Sequence, residues 1–156
     1  MNIKPVNKKV VLELASACNL DCKHCFYRQN KEFQEMPFLE TSKAIELIDK
    51  FKDWGVNKLV LTGGEPTVHP DFLKITEYAK SQIDKVSICT NGVIEDEYLK
   101  QKLLDLNLNN YTVSIDSHLE KIHDDFRGKK GALKEVIAFT KLLQEKQRKR
   151  SIHITI

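Results

Sequence analysis

Three cysteines lie close together near the start of the chain, in the segment Cys18-Asn-Leu-Asp-Cys22-Lys-His-Cys25. Thiolates at this spacing can hold three irons of a cubane cluster, and no fourth cysteine follows nearby to close it. We therefore expect a small molecule to occupy the open iron. A structural zinc site is the alternative, but it needs four ligands and His24 is badly placed between Cys22 and Cys25. The remaining cysteine, Cys89, is predicted to be a core or cavity-wall residue.

A second motif, Thr62-Gly63-Gly64-Glu65-Pro66, follows a predicted strand. Its two glycines let the backbone approach a ligand closely, and the Glu65 carboxylate can accept hydrogen bonds from an ammonium group. Paired glycines before a proline also occur in loops without a ligand. The motif therefore predicts a ligand contact only in combination with others.

Two further motifs end later strands, at Thr90-Asn91-Gly92 and Ser114-Ile115-Asp116. The first is typical of a tight turn. The second presents a hydroxyl and a carboxylate on one face, which suits ribose hydroxyls or an amino acid head group. Beyond it, Arg127 can fork onto a ligand carboxylate, and an exposed ion pair is the alternative.

The elements that must position these motifs alternate between strand and helix. Segments rich in β-branched and aromatic residues predict strands at 9–14, 58–61, 85–90, 110–116 and 151–156. Helical stripes are predicted over 44–54, 70–79, 99–106 and 131–143, with Trp54 and Ile137 facing inward. This alternation indicates an α/β fold with right-handed crossovers and a parallel sheet. Every motif falls at or just beyond the carboxyl end of a strand, where such sheets place their active sites.

The fourth predicted strand separates apolar from polar side chains. Positions 111, 113 and 115 are apolar, whereas Thr112, Ser114 and Asp116 share the opposite face. An open sheet covered by helices on both sides would carry near-continuous apolar strands. The pattern therefore favours a curved sheet whose convex face lies under helices and whose polar concave face lines a cavity.

Length, charge and composition limit the number of domains, the classes of partner and the cellular compartment. The chain has 156 residues, which suits one domain over 1–156, and a net charge of +3 from 25 basic and 22 acidic residues. So balanced a charge argues against nucleic acid or an anionic membrane as the main partner. No apolar run approaches the ~20 residues of a membrane span, and the start lacks a secretory signal, which predicts a cytoplasmic protein. Cysteines in a reducing compartment favour metal ligation over disulfides.

The four motifs together resemble the radical S-adenosylmethionine (radical SAM) superfamily in order and spacing. The stretch 114–131 is most similar to the branch that contains MoaA and the peptide-modifying SPASM proteins. The resemblance implies an incomplete parallel (βα) barrel of about five strands and four main helices, and a 4Fe–4S cluster on Cys18, Cys22 and Cys25. S-adenosylmethionine would chelate the fourth iron. An electron from an external reductant such as flavodoxin or ferredoxin would then release a 5'-deoxyadenosyl radical, which abstracts hydrogen from an unknown peptide or small molecule.

The resemblance also implies cofactor-binding positions, which are His24, Gly63, Gly64, Glu65, Asn91, Ser114, Asp116 and Arg127. Gly64 and Glu65 would meet the methionine ammonium group. Ser114 and Asp116 would lie on the ribose or carboxylate side, and Arg127 at the carboxylate. The backbone of His24 would contact the adenine, and no side chain is assigned a catalytic role.

One departure from the family pattern concerns the end of the chain. The family core has six strand and helix units, whereas this chain stops at Ile156 within the predicted fifth strand. We therefore expect the C-terminal units to be missing and Ile152, Ile154 and Ile156 to lie uncovered on an edge strand. The alternative function is accordingly a non-catalytic iron–sulfur fragment without a complete cofactor pocket.

Overall fold

The computed structural model describes residues 8–29 and 37–155. Its strands form one parallel sheet in the order β1-β2-β3-β4-β5. They are β1 (Lys9–Ala15), β2 (Lys58–Gly63), β3 (Lys85–Thr90), β4 (Asn110–Ser114) and β5 (Arg150–His153). Neighbours in the sheet are also neighbours in the chain, which is the order of a barrel rather than of a doubly wound sheet. The predicted α/β class is confirmed.

Helices lie between the strands. They are α1 (Phe26–Gln29), α2 (Thr41–Asp53), α3 (Phe72–Gln82), α4 (Glu97–Asp105), α5 (Glu120–Arg127) and α6 (Ala132–Glu145), with a 3-10 turn at Pro66–Val68. The four predicted stripes correspond to α2, α3, α4 and α6. Helices α1 and α5 were not predicted, because α1 has only four residues and the residues that α5 buries are polar, namely His123, Asp124 and Arg127. In the part of the chain described, no helix is long and apolar enough to cross a membrane.

The two faces of the sheet differ as predicted. In β4, Tyr111 and Val113 are fully buried under the helices, whereas Thr112 and Ser114 on the other face are partly accessible. Leu59 and Leu61 of β2 and Ile88 of β3 extend the same apolar layer. The core therefore lies between the sheet and the helices, and the other face is free to carry polar side chains.

Two helical residues differ from expectation. Trp54 is 61% exposed because the helix ends at Asp53 and Trp54 only caps it. Ile137 is 39% exposed, and Phe139 fills the core position instead. Phe139 lies three residues after the buried Val136, so the two share a helix face.

The fifth strand is shorter than the predicted range 151–156. It covers Arg150–His153 and pairs with β4, and among the described residues it forms an edge of the sheet. Ile152 and Ile154 are 58% and 56% exposed, as expected for an uncovered edge. Ile156 lies outside the described residues.

Candidate functional site

Residues 16–25, which we call the cysteine loop, leave the carboxyl end of β1. Cys22 is buried, Cys25 is half-buried and Cys18 is exposed. The Cys25 N–H donates to the Cys22 carbonyl at 3.1 Å, which closes a tight turn between these two thiols. The loop therefore brings three thiols to one end of the sheet, as the spacing predicts.

Hydrogen-bond donors surround the sulfurs of this loop. Leu20 N and Asn91 Nδ2 lie 3.4 and 3.7 Å from Cys18 Sγ, and Arg127 Nη1 lies 3.8 Å from Cys22 Sγ. Donors of this kind stabilise thiolate ligands and tune iron–sulfur clusters. Although Cys18 is exposed as a residue, the protein atoms around its sulfur partly desolvate it, which raises the pKa of Cys18 to about 11, so metal binding there must displace a proton.

The positions of the three cysteines show whether the loop suits a single metal ion or a cubane cluster. Within residues 8–29 and 37–155, no three His, Cys, Asp or Glu side chains gather as they would around one metal ion. A cubane places each cysteine on a different iron, so its thiols need not meet at one point. The donor set and the nearby N–H groups fit such a cluster.

The glycines of the second motif lie against the cysteine loop. Gly64 N donates to Ala15 O at 2.6 Å, and Glu65 N donates to Ala17 O at 2.9 Å. A Cβ added to Gly63 would stand 2.1 Å from Ala15 O, and one added to Gly64 would stand 2.4 Å from Ala17 O. Both positions need glycine because two backbones pass at contact distance.

Glu65 has no exposed surface and fastens two strand ends together. Its Oε1 accepts hydrogen bonds from Thr67 N, Thr67 Oγ1 and Thr90 Oγ1 at 3.1, 2.7 and 2.9 Å. Its Oε2 accepts from Asn91 N at 2.7 Å. Burial raises the pKa of the Glu65 carboxyl, and these four hydrogen bonds oppose the rise.

An amide pair links the end of β3 to the cysteine loop. Asn91 Nδ2 donates to Asn19 Oδ1 at 2.8 Å, and Asn19 Nδ2 donates to Val93 O at 2.7 Å. Asn91 thus holds the loop beside Cys18, where it was predicted to lie. Asn19 was missed by sequence reasoning, although its place directly after Cys18 was the available signal.

Asp116 and Arg127 form a buried ion pair at the end of β4. Arg127 Nε donates to Asp116 Oδ2 at 2.5 Å, and the two side chains are 8% and 5% exposed. Burial alone would raise the pKa of Asp116, but hydrogen bonds from Arg127 and Thr155 N hold it below its usual value. The alternative of an exposed ion pair at Arg127 is wrong.

Helix α5 clamps the cysteine loop from the other side. Asp21 N donates to Arg127 O at 3.2 Å, and Lys23 N donates to Phe126 O at 3.0 Å. The His24 ring stacks on Phe126, with centroids 4.5 Å apart and planes 13° from parallel. Sequence reasoning missed Phe126, because the stack depends on how α5 packs against the loop.

The structure thus brings most predicted site residues to one edge of the sheet. Glu65, Asn91, Asp116 and Arg127 surround the cysteine loop through the contacts above. Ser114 lies on the concave face, in register with His153 of β5. Hydrogen bonds therefore connect β1, β2, β3 and β4 at the carboxyl edge.

Comparisons with known proteins agree with this geometry. The family model described as the Radical SAM superfamily matches residues 12–156. Fe-coproporphyrin III synthase of Methanosarcina barkeri is 33% identical over 98% of this chain and 37% of its own length. The subtilosin biosynthesis protein AlbA of Bacillus subtilis is 32% identical over 90% of this chain and 31% of its own length. This chain therefore spans about a third of the length of these curated relatives.

Solved structures share the fold. Streptococcus suis SuiB bound to its precursor peptide SuiA superposes with a TM-score of 0.81 over 98% of this chain and 34% of SuiB, at 20% identity. SuiB bound to S-adenosylmethionine gives a TM-score of 0.78. At this identity the likeness concerns the fold, which is that of an α/β barrel with its strands in sequential order.

Proposed function

This chain belongs to the radical SAM superfamily, and from that premise we propose that it binds a 4Fe–4S cluster through Cys18, Cys22 and Cys25. We further propose that it binds S-adenosylmethionine at the open iron and cleaves it reductively. The observation that supports this most is the attachment of the cysteine loop to the ends of β2 and β3 and to α5. A loop held at so many points is preorganised for a rigid ligand.

When bound, the reduced cluster would supply the electron that splits S-adenosylmethionine into methionine and a 5'-deoxyadenosyl radical. The protein's own residues would hold the cofactor in place. Arg127 commits Nε to Asp116 and places Nη1 3.8 Å from Cys22 Sγ, so Nη2 would be the group that meets a carboxylate. In this arrangement Asp116 acts by orienting Arg127.

The other cofactor contacts would come from the strand ends. The Glu65 side chain has no exposed surface, so Gly64 and Glu65 would meet the methionine ammonium group through backbone carbonyls. Gly63 and Gly64 would present backbone beside it, and Ser114 would offer a hydroxyl from the concave face. The His24 backbone would contact the adenine, with its ring held by Phe126.

We also propose that an external one-electron donor such as flavodoxin or ferredoxin reduces the cluster. The relatives are named for different products, a porphyrin in one case and a bacteriocin in the other. Family membership therefore does not select between a peptide and a small molecule as substrate.

Anaerobic reconstitution with iron and sulfide, followed by reduction and assay for 5'-deoxyadenosine, tests the proposal. We expect about four irons per chain and deoxyadenosine formation, both lost in Cys22→Ala and retained in Cys89→Ala. A cluster without cleavage would instead support a non-catalytic cluster-binding function. Zinc without iron would overturn both.

A further inference from the structure

A second concave site lies at the opposite, amino edge of the sheet. A cavity of about 510 Å³ opens there on the polar face. Its lining includes Lys9, Lys58, Lys85, Lys149, Ser87 and Thr112. A cavity of this size is large enough for a small organic ligand, and none of the residues lining it is acidic.

Three of the lysines stand side by side. Lys9 is in register with Lys58, and Lys58 is in register with Lys85, at the first positions of β1, β2 and β3. Residues in register on neighbouring parallel strands point to the same face, with strands about 4.8 Å apart. Like charges placed this way repel one another and destabilise a sheet. We call these three residues the lysine row.

Within the described parts of the chain, no Asp or Glu forms an ion pair with the lysine row or with Lys149. Glu13 is on the same face of β1, but it stands four residues beyond Lys9 and accepts a hydrogen bond from the Tyr27 hydroxyl. Four cations therefore share one cavity without an acidic side chain in it. Such an arrangement is complementary to a ligand with more than one negative charge.

We propose that this cavity binds the anionic end of the enzyme's substrate, a small molecule with two or more carboxylate or phosphate groups. The assignment of the ligand as substrate rests on the proposed function, because the cysteine loop lies at the other end of the same strands. From Lys58 to Thr62 the strand rises roughly 13 Å, at about 3.3 Å per residue. The substrate is therefore elongated, with its anionic groups at the lysine row and its reacting carbon near the cysteine loop.

Calorimetric titration of the purified, metal-free full chain with inorganic pyrophosphate and with citrate, in low-salt buffer, tests this site. We expect at least one probe to bind, and the preferred probe distinguishes phosphate from carboxylate ligands. Lys58→Gln/Lys85→Gln should weaken binding about tenfold or more, because two charge-assisted contacts are lost. The matched control is Lys74→Gln/Lys141→Gln, which removes the same charge from exposed helix positions and should change the affinity less than about twofold.

Equal weakening by both double variants would overturn the proposal, since it would indicate general attraction of anions. So would the failure of both probes to bind the parent chain, or binding of an oligoglutamate peptide alone. If the double variant does not fold, Lys9→Gln provides the same test with one charge. Deoxyadenosine formation is measured separately, so anion binding without cofactor cleavage would refute the proposed function, and cleavage without specific anion binding would refute this inference.

Discussion

Among the residues that the structure describes, charged side chains are paired within the protein at the carboxyl edge of the sheet but not at its amino edge. At the carboxyl edge, Asp116 pairs with Arg127 and Glu65 accepts four hydrogen bonds, so buried charge is matched inside the protein. At the amino edge the lysine row has no acidic partner among the described residues. There, too, the buried Oδ1 of Asn57 has no hydrogen-bond partner in the described structure.

This difference indicates different tasks for the two edges. Internal pairing at the carboxyl edge fixes the positions of the cysteine loop and its neighbours before any ligand arrives. Unpaired cations at the amino edge keep their attraction for an external anion, at a cost in folding stability. Removing a charge should therefore lower the free energy of unfolding at the carboxyl edge and raise it at the amino edge.

The largest expected effect separates the three cysteines of the cysteine loop from Cys89, which lies on β3. Cys18→Ala, Cys22→Ala and Cys25→Ala should each abolish stable cluster assembly, because each removes one of three ligands in one loop. Cys89→Ala should leave iron loading unchanged, since Cys89 lies on β3, outside the cysteine loop, with its side chain on the concave face. Iron and sulfide analysis of the four variants measures this. Full iron loading in any of the first three variants would remove that cysteine from the ligand set.

The next effect concerns the buried ion pair of the carboxyl edge. Arg127→Met should lower the free energy of unfolding by about 3–5 kcal/mol, because it leaves Asp116 charged, buried and without its cation. Arg127→Met/Asp116→Asn should recover part of that loss, since no buried charge remains unpaired. Urea denaturation of both variants measures the difference. Equal stability of the single and double variants would show that the pair does not match charge as described.

Substitutions at two glycines distinguish the cost of backbone strain from the cost of a clash with the cysteine loop. Gly128 and Gly131 have φ values of +70° and +83°, but a Cβ would stand 2.3 Å from Asp21 O at Gly128 and meets nothing within 4 Å at Gly131. Gly131→Ala should cost about 1–2 kcal/mol for the left-handed backbone alone. Gly128→Ala should cost more and also lower iron loading. Equal losses of stability with unchanged iron loading would argue against the clamp.

The smallest expected effect is a gain in stability, from a substitution at the amino edge. Lys58→Gln should raise the free energy of unfolding by about 0.2–1 kcal/mol at low salt, because the middle charge of the lysine row is removed. The gain should shrink at high salt, where the repulsion is screened. Denaturation at two ionic strengths measures both. A loss of stability at low salt would mean that Lys58 has a stabilising partner.

Much of the fold could be predicted from the local pattern of polar and apolar residues. The polar and apolar alternation in β4 predicted which face Tyr111 and Thr112 would take, because a strand has a period of two residues. The sheet and its four longer helices followed from similar periodicity. The placement of Glu65 and Asn91 beside the cysteine loop followed from the rule that parallel strands end together.

What escaped prediction depends on tertiary packing. Helix α5 buries polar residues, and it accepts hydrogen bonds from the cysteine loop through backbone carbonyls, which any residue carries. The lysine row could be seen only as three strands that each begin with lysine. Only the register of the sheet shows that the three lysines are neighbours on one face, because a shift of one residue would have turned a lysine to the other face.

The clamp between α5 and the cysteine loop also bears on the order in which the protein matures. Cys22 and Arg127 are 105 residues apart in sequence, so the segment that carries the cysteines leaves the ribosome long before its clamp exists. Sheet pairing can proceed strand by strand during synthesis, since each strand joins the one before it. The cysteine loop cannot reach its final shape until α5 docks. We therefore expect iron to enter late, with cluster insertion acting as a checkpoint on a nearly finished fold.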